Sequence, residues 1–171
     1  MINKIISEIE KVCTQWHSCG SALFEYKSEF NVDISIIDYA IKLLYHNYQI
    51  WHFIELYTAP DSNTVLFVYD GGIKHNKLRN DTIELLDAEL CKNQKNTGKI
   101  NSETIGSIID RITILYIKKL HLQDSNDIRL SVVEDQYQTL IHCAKELMHE
   151  MEIGVRQCKL FGRFKIEYSG Q

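Results

Sequence analysis

Apolar side chains recur every three or four positions along most of this chain, the spacing that gathers them on one side of an α-helix. Ile2, Ile5, Ile6, Ile9, Val12 and Trp16 set that pattern over residues 2–17. Residues 19–31 are less regular and read as a short helix or a connection. Asp33 can cap a second helix running to about Thr58, with Ile37, Tyr39, Ile41, Leu44, Tyr48, Trp51 and Ile54 as its apolar side. Pro60, the single proline, closes that helix with Asp61, Ser62 and Asn63, and the next element starts there.

Residues 64–70, TVLFVYD, would read in isolation as a buried strand ended by Gly71-Gly72. No second convincing strand exists to pair with it, and a lone strand leaves its backbone groups unsatisfied. The segment is therefore expected to be helical, with the two glycines a weak or kinked point. The helical period then continues through Ile73, Leu78, Ile83, Leu86 and Leu90. Residues 92–99 are polar and read as a loop, residues 104–123 as a helix, and 123–127 as a turn. A last helix over about 128–158 places Val133, Tyr137, Leu140, Ile141, Ala144, Leu147, Met148 and Met151 on one face. The tail 159–171 is expected to extend that helix or pack irregularly. The fold class is all-α: one domain over residues 1–171, a bundle of four to five long helices with no sheet of three or more strands.

Composition narrows the setting. The chain has 171 residues, enough for a core that needs no covalent staples. A formal charge of −4 argues against broad nucleic-acid binding. The five cysteines are scattered without a CxxC pair, which speaks against a disulfide framework or a structural zinc site and fits a reducing cytoplasm. Charges at Glu8, Glu10 and Lys11 break the N-terminal apolar pattern, so no signal peptide is expected there. No apolar run approaches the roughly 20 residues that span a bilayer, and no membrane partner is expected.

The polar positions carry the candidate chemistry. Asn101, Ser102 and Thr104 can each accept from a first-turn amide of the helix that follows, and Glu103 adds charge at its positive end. Gly106 and Ser107 would let backbone amides approach an anion closely. Ile105, Ile108, Ile109, Ile112, Leu115, Tyr116 and Leu120 gather on one side of that helix. Ser107, Asp110, Arg111, Lys118 and His121 gather on the other, interrupted by Ile114. In WHFIE, His52 and Glu55 lie one turn apart, in reach of each other or of a shared ligand. Asn76, Asn80 and Glu84 repeat every four residues around Arg79 and Asp81. Glu84 and Asp87 form an ExxD pair that could hold Mg²⁺. Stripes on three successive long helices suggest that they face one another, with Arg79 and Arg111 on facing helices and carboxylates among Asp81, Glu84 and Asp110 in reach of them. His142, Glu146 and His149 share a face at zinc-compatible spacing, but the helix there is cleanly apolar opposite and this face is expected in solvent. No P-loop, nucleophile elbow, GxGxxG, HExxH or EF-hand pattern occurs.

The segments 47–55 (NYQIWHFIE), 76–87 (NKLRNDTIELLD) and 101–121 resemble those of an uncharacterised bacterial family, domain of unknown function 4254. The tail 161–168 (FGRFKIEY) is similar to that family's basic-aromatic ending. The likeness runs from about residue 38 to 168. It implies an all-helical protein and marks His52, Glu55, Asn76, Arg79, Asn80, Asp81, Glu84, Asn101, Glu103, Asp110, Arg111 and His121 as signature positions. The chain departs from the family pattern at Ile105, where the family carries proline, and near Thr58, where it carries a basic residue that could contact an anion.

Two functional readings follow. In the first, a polar interhelical pocket binds a small anionic metabolite such as a nucleotide or sugar phosphate, with its hydrolysis or transfer as the chemistry such a pocket could carry. Thr104, Gly106, Ser107, Arg79, Arg111 and Lys118 would hold phosphate oxygens, with Asn76, Asn80, Asp110 and His121 completing the site. His52 would be its acid or base, with Glu84 as a second catalytic candidate or, with Asp87, a Mg²⁺ ligand. In the second, the chain is a non-enzymatic interaction module, a helical homodimer whose stripes are buried polar networks.

Overall fold

The computed structural model describes residues 1–20, 23–24, 35–57, 62–92, 94–95, 97–158 and 160. Five helices carry the fold: α1 (Ile2–Ser18), α2 (Ile36–Leu56), α3 (Ser62–Cys91), α4 (Ile105–Asp124) and α5 (Leu130–Ile153). Two three-residue strands, β1 (Lys99–Asn101) and β2 (Arg156–Cys158), pair in parallel with Lys99 opposite Arg156. The all-α expectation holds, and TVLFVYD is helical as the missing partner strand required.

Local chemistry sets the helix limits. Ser35 caps α2 in a reciprocal box: its Oγ accepts the Asp38 amide at 3.3 Å, and the Asp38 carboxylate accepts the Ser35 amide at 2.8 Å. The expected cap, Asp33, lies outside the described residues, as do Thr58, Pro60 and the tail 161–171. Thr104 caps α4, its Oγ1 accepting the Ser107 amide at 3.2 Å. Gly154 ends α5 at φ +82°, a left-handed position that glycine adopts without steric cost.

That ending corrects the sequence expectation of a helix to about 158. After Gly154 the chain turns extended and β2 joins β1, which the sequence had assigned to a loop and a capping segment. The clasp is tight: Lys99 donates its amide to the Val155 carbonyl at 2.9 Å, and a Cβ at Gly98 would lie 2.2 Å from that same oxygen.

α4 lies at the centre, packed against α1, α2, α3 and α5. Its Ile105, Ile109 and Ile112 are fully enclosed, with Ile5 and Ile9 of α1, Leu43 and Leu44 of α2, Leu86 of α3 and Tyr137 of α5 around them. Each such side chain contributes about 1.5–3 kcal/mol of burial, so this cluster is the main source of stability. α3 runs unbroken through both glycines. Gly71 is the seat for Phe53 of α2, whose ring atoms lie 2.3 Å from where a Cβ would be. Gly71 thus serves close helix packing rather than a break. Among the described residues no helix is long and apolar enough to cross a membrane.

Candidate functional site

The polar stripes of α2, α3 and α4 do meet. Asp110 of α4 is 3 % exposed, and its carboxylate accepts from Nε of Arg79 at 2.7 Å and from a second nitrogen of the same guanidinium, a bidentate fork. Asn47 of α2 donates Nδ2 to the same carboxylate at 2.8 Å and to Thr113 Oγ1 at 2.7 Å, while Thr113 donates to the Asp110 carbonyl at 2.7 Å. Asn76 caps the outer edge by accepting from Arg79 at 3.4 Å. Hydrogen bonding to Asp110 raises the Arg79 pKa against the opposing effect of burial. Each helix thus supplies the partner of another, and the charge buried on Asp110 is neutralised inside the protein.

The start of α4 is equally occupied. The Gly106 amide, a first-turn donor, bonds to Oδ1 of Asp87 on α3 at 2.6 Å, so the anion at this helix terminus is the protein's own. Thr104 and Ser107 bond to each other through their hydroxyls at 2.9 Å. Arg111 points away from Arg79: it is about half exposed and pairs with Glu103 at 2.6 Å. Asn101 donates to the Glu103 carbonyl at 2.6 Å. Asp81 and Glu84 are exposed, Asn80 and Lys118 half-buried. The structure therefore brings Arg79, Asp110 and Asn76 together but spreads Arg111, Glu84 and the Thr104–Ser107 turn over separate surroundings.

A second constellation forms where α2 meets the end of α4. His52 Nδ1 and Glu55 Oε2 are 2.7 Å apart, and His121 Nδ1 lies 3.6 Å from Glu55 Oε1. Trp51 donates Nε1 to Glu55 Oε1 at 2.7 Å and stacks its ring on His121, centroids 5.0 Å apart. Tyr48 packs edge-on against His52 at 4.5 Å. From α1, His17 packs against His121 at 4.8 Å and bonds Asp124 at 2.7 Å. Burial lowers the His121 pKa, with Glu55 pulling the other way. Nε2 of His52 and Nε2 of His121 are both enclosed without a hydrogen-bond partner.

A third pair was not foreseen. His46 of α2 and His75 of α3 are both buried, and one Nδ1 donates to the other at 3.1 Å. Burial pushes His46 down to about 3, helped by the charges of His75 and Lys42. Asn47 was also missed as a site residue, although a polar side chain beside Leu43, Leu44 and Tyr48 on the inward side of α2 is a readable signal. His142 and Glu146 pair at 3.2 Å on an exposed face, as expected.

The surface carries two grooves of note. One, of about 490 Å³, runs between α4 and α5 and is lined by Arg111, Ile114, Leu115, Asp135, Gln136 and Thr139. The other, of about 390 Å³, lies between the second half of α2 and the first half of α3, walled by Ile54, Tyr57, Tyr69 and Ile73 with Gly72 in its lining. Around it Ile54, Leu66, Phe67, Tyr69 and Ile73 each expose more than half of their surface.

A family model described as "Protein of unknown function (DUF4254)" matches residues 39–160, and the chain belongs to that family. No curated protein and no solved structure matches it.

Proposed function

We propose that this member of the DUF4254 family is a protein-interaction module that pairs with a second copy of itself through the outer face of α2 and α3. The observation that carries this reading is the concentration of exposed apolar side chains between Ile54 and Ile73 around one groove. Monomeric proteins rarely leave so contiguous an apolar face in water. Part of the polar stripes, Asn47, Asn76 and Arg79, goes into the interhelical network around Asp110 that ties α2, α3 and α4 together.

The face is self-complementary. A Cβ at Gly72 would meet nothing within 4 Å, so this is a low point where another helix can approach closely. Two α3 helices crossing antiparallel at Gly72 set Tyr69 and Ile73 of each copy into the facing groove. This is an isologous, closed arrangement.

Sedimentation equilibrium tests it. The wild type should give twice the 20.0 kDa of the chain. Tyr69→Lys with Ile73→Lys should give the monomer mass at unchanged helical circular dichroism. Asp70→Lys, on the side of α3 away from Gly72, should leave pairing unchanged. A wild type that stays monomeric at tens of micromolar overturns the reading.

A second reading rests on the α4–α5 groove. A half-exposed guanidinium at the edge of a concave, mainly apolar wall with Gln136 and Thr139 nearby suits a small anionic metabolite. Arg111 is then the group that holds the anion, without the Thr104–Ser107 amides.

A further inference from the structure

We propose that His52, Glu55 and His121 form a binding site for one divalent transition-metal ion of the zinc, cobalt and nickel class. α2 supplies His52 and Glu55 one turn apart, and α4 supplies His121. One donor atom from each lies within 4.8 Å of the other two.

The unpartnered nitrogens point to a ligand. His52 is 8 % exposed, and its Nε2 is enclosed without a partner while Nδ1 is held by Glu55. Nε2 of His121 is enclosed in the same way. A buried polar atom without a partner loses its hydration for no return, and this cluster holds two of them. An acid–base role for His52 does not account for this, because an enclosed Nε2 cannot touch a substrate. A metal ion needs no such exposure once bound, and Glu55, whose side chain is 47 % exposed, is the entry side.

The donor set selects the ion. Two imidazoles and one carboxylate suit the borderline divalent ions and leave coordination positions for water; Mg²⁺ and Ca²⁺ prefer oxygen alone. The surroundings orient the ligands: Trp51 holds one Glu55 oxygen and stacks on His121, Tyr48 packs on His52, and His17 with Asp124 backs His121 from α1 and the end of α4.

The test uses chelator-stripped full-length protein titrated with Zn²⁺, Co²⁺ and Mg²⁺ by calorimetry, with Co²⁺ followed by its visible d–d absorption. The wild type should bind one Zn²⁺ or Co²⁺ per chain and show no saturable Mg²⁺ binding. Glu55→Gln, at a partly exposed position, and His121→Asn should each weaken Co²⁺ binding more than about a hundredfold, since even outer-shell partners are worth 10–100-fold. His142→Ala, on the exposed face of α5, should leave affinity and spectrum unchanged. A wild type that binds no transition metal at one per chain overturns the proposal regardless of how the variants fold. So does Co²⁺ binding that survives Glu55→Gln and His121→Asn undiminished. Sedimentation of the same stripped protein reads the self-pairing separately, so the two proposals fail independently.

Discussion

Asp87 of α3 accepts the Gly106 amide of α4 at 2.6 Å, and a Cβ at position 106 would lie 2.7 Å from the same carboxylate oxygen. The glycine is required by the carboxylate's approach, and the carboxylate supplies the negative charge that the positive end of α4 attracts. Gly106→Ala should therefore destabilise the protein by about 1–3 kcal/mol, although alanine is the better helix former in isolation. Asp87→Asn, which keeps an acceptor oxygen and loses the charge, should cost less. Urea denaturation of both variants measures the difference. A Gly106→Ala protein as stable as the wild type would mean the helices slide apart without loss.

The Arg79–Asp110 fork is the most costly polar contact to break. Asp110→Ala leaves a guanidinium, whose side chain is 26 % exposed, without its counter-charge and strips Asn47 of an acceptor. Removing one member of a buried pair costs about 3–5 kcal/mol, and the partial exposure of Arg79 puts the expectation at the lower end. Arg79→Met with Asp110→Leu should be far milder than the sum of the single changes, a coupling that a double-mutant cycle reads directly.

Acid should loosen the α2–α3 pairing first. His46 is held down to about 3 and burial lowers His75 as well, whereas an unfolded histidine takes up its proton near 6.5. Between those values the unfolded chain binds protons that the folded chain refuses. Stability is thus complete above about pH 6.5 and falls as pH drops through that window, by up to about 1.4 kcal/mol per pH unit for each histidine. His46→Phe with His75→Phe should flatten the decline of the melting temperature between pH 6.5 and 4. An unchanged slope would show that the pair is protonated in the folded state.

Arg111 tests the anion reading of the α4–α5 groove. Arg111→Lys keeps the charge and loses the planar fork. If a nucleotide or sugar phosphate stabilises the wild type in a thermal-shift screen, the lysine variant should lose roughly tenfold to a hundredfold in affinity for it. Equal stabilisation of both proteins would remove Arg111 from the site.

The helices were legible because burial on one side of each imposes a 3.6-residue period, and the Thr104 cap because its hydroxyl and the amide it serves are three residues apart. The Arg79–Asp110 contact was legible as complementary charge on neighbouring stripes. What the sequence concealed depends on partners distant along the chain. Asp87 caps a helix nineteen residues on, so it read as half of a cation pair. Gly71 looked like a breaker because Phe53, whose ring fills its place, belongs to another helix. KIN and RQC are too short to show alternation, and only their pairing makes them strands. Arg111 faces away from Arg79 because residues 110 and 111 project about 100° apart, and the pull of Asp110 inward turns its neighbour out.

The β1–β2 clasp joins the residues just before α4 to those just after α5, so the two helices form a loop of structure closed at both ends. Local opening of either helix end must break the ladder at Lys99–Arg156 and expose Ile105 and Met151 together. In native-state hydrogen exchange, amides of α4 and α5 should therefore exchange as one cooperative unit with the strands, and a chain cut after Gly154 should lose that protection throughout α4, far from the cut.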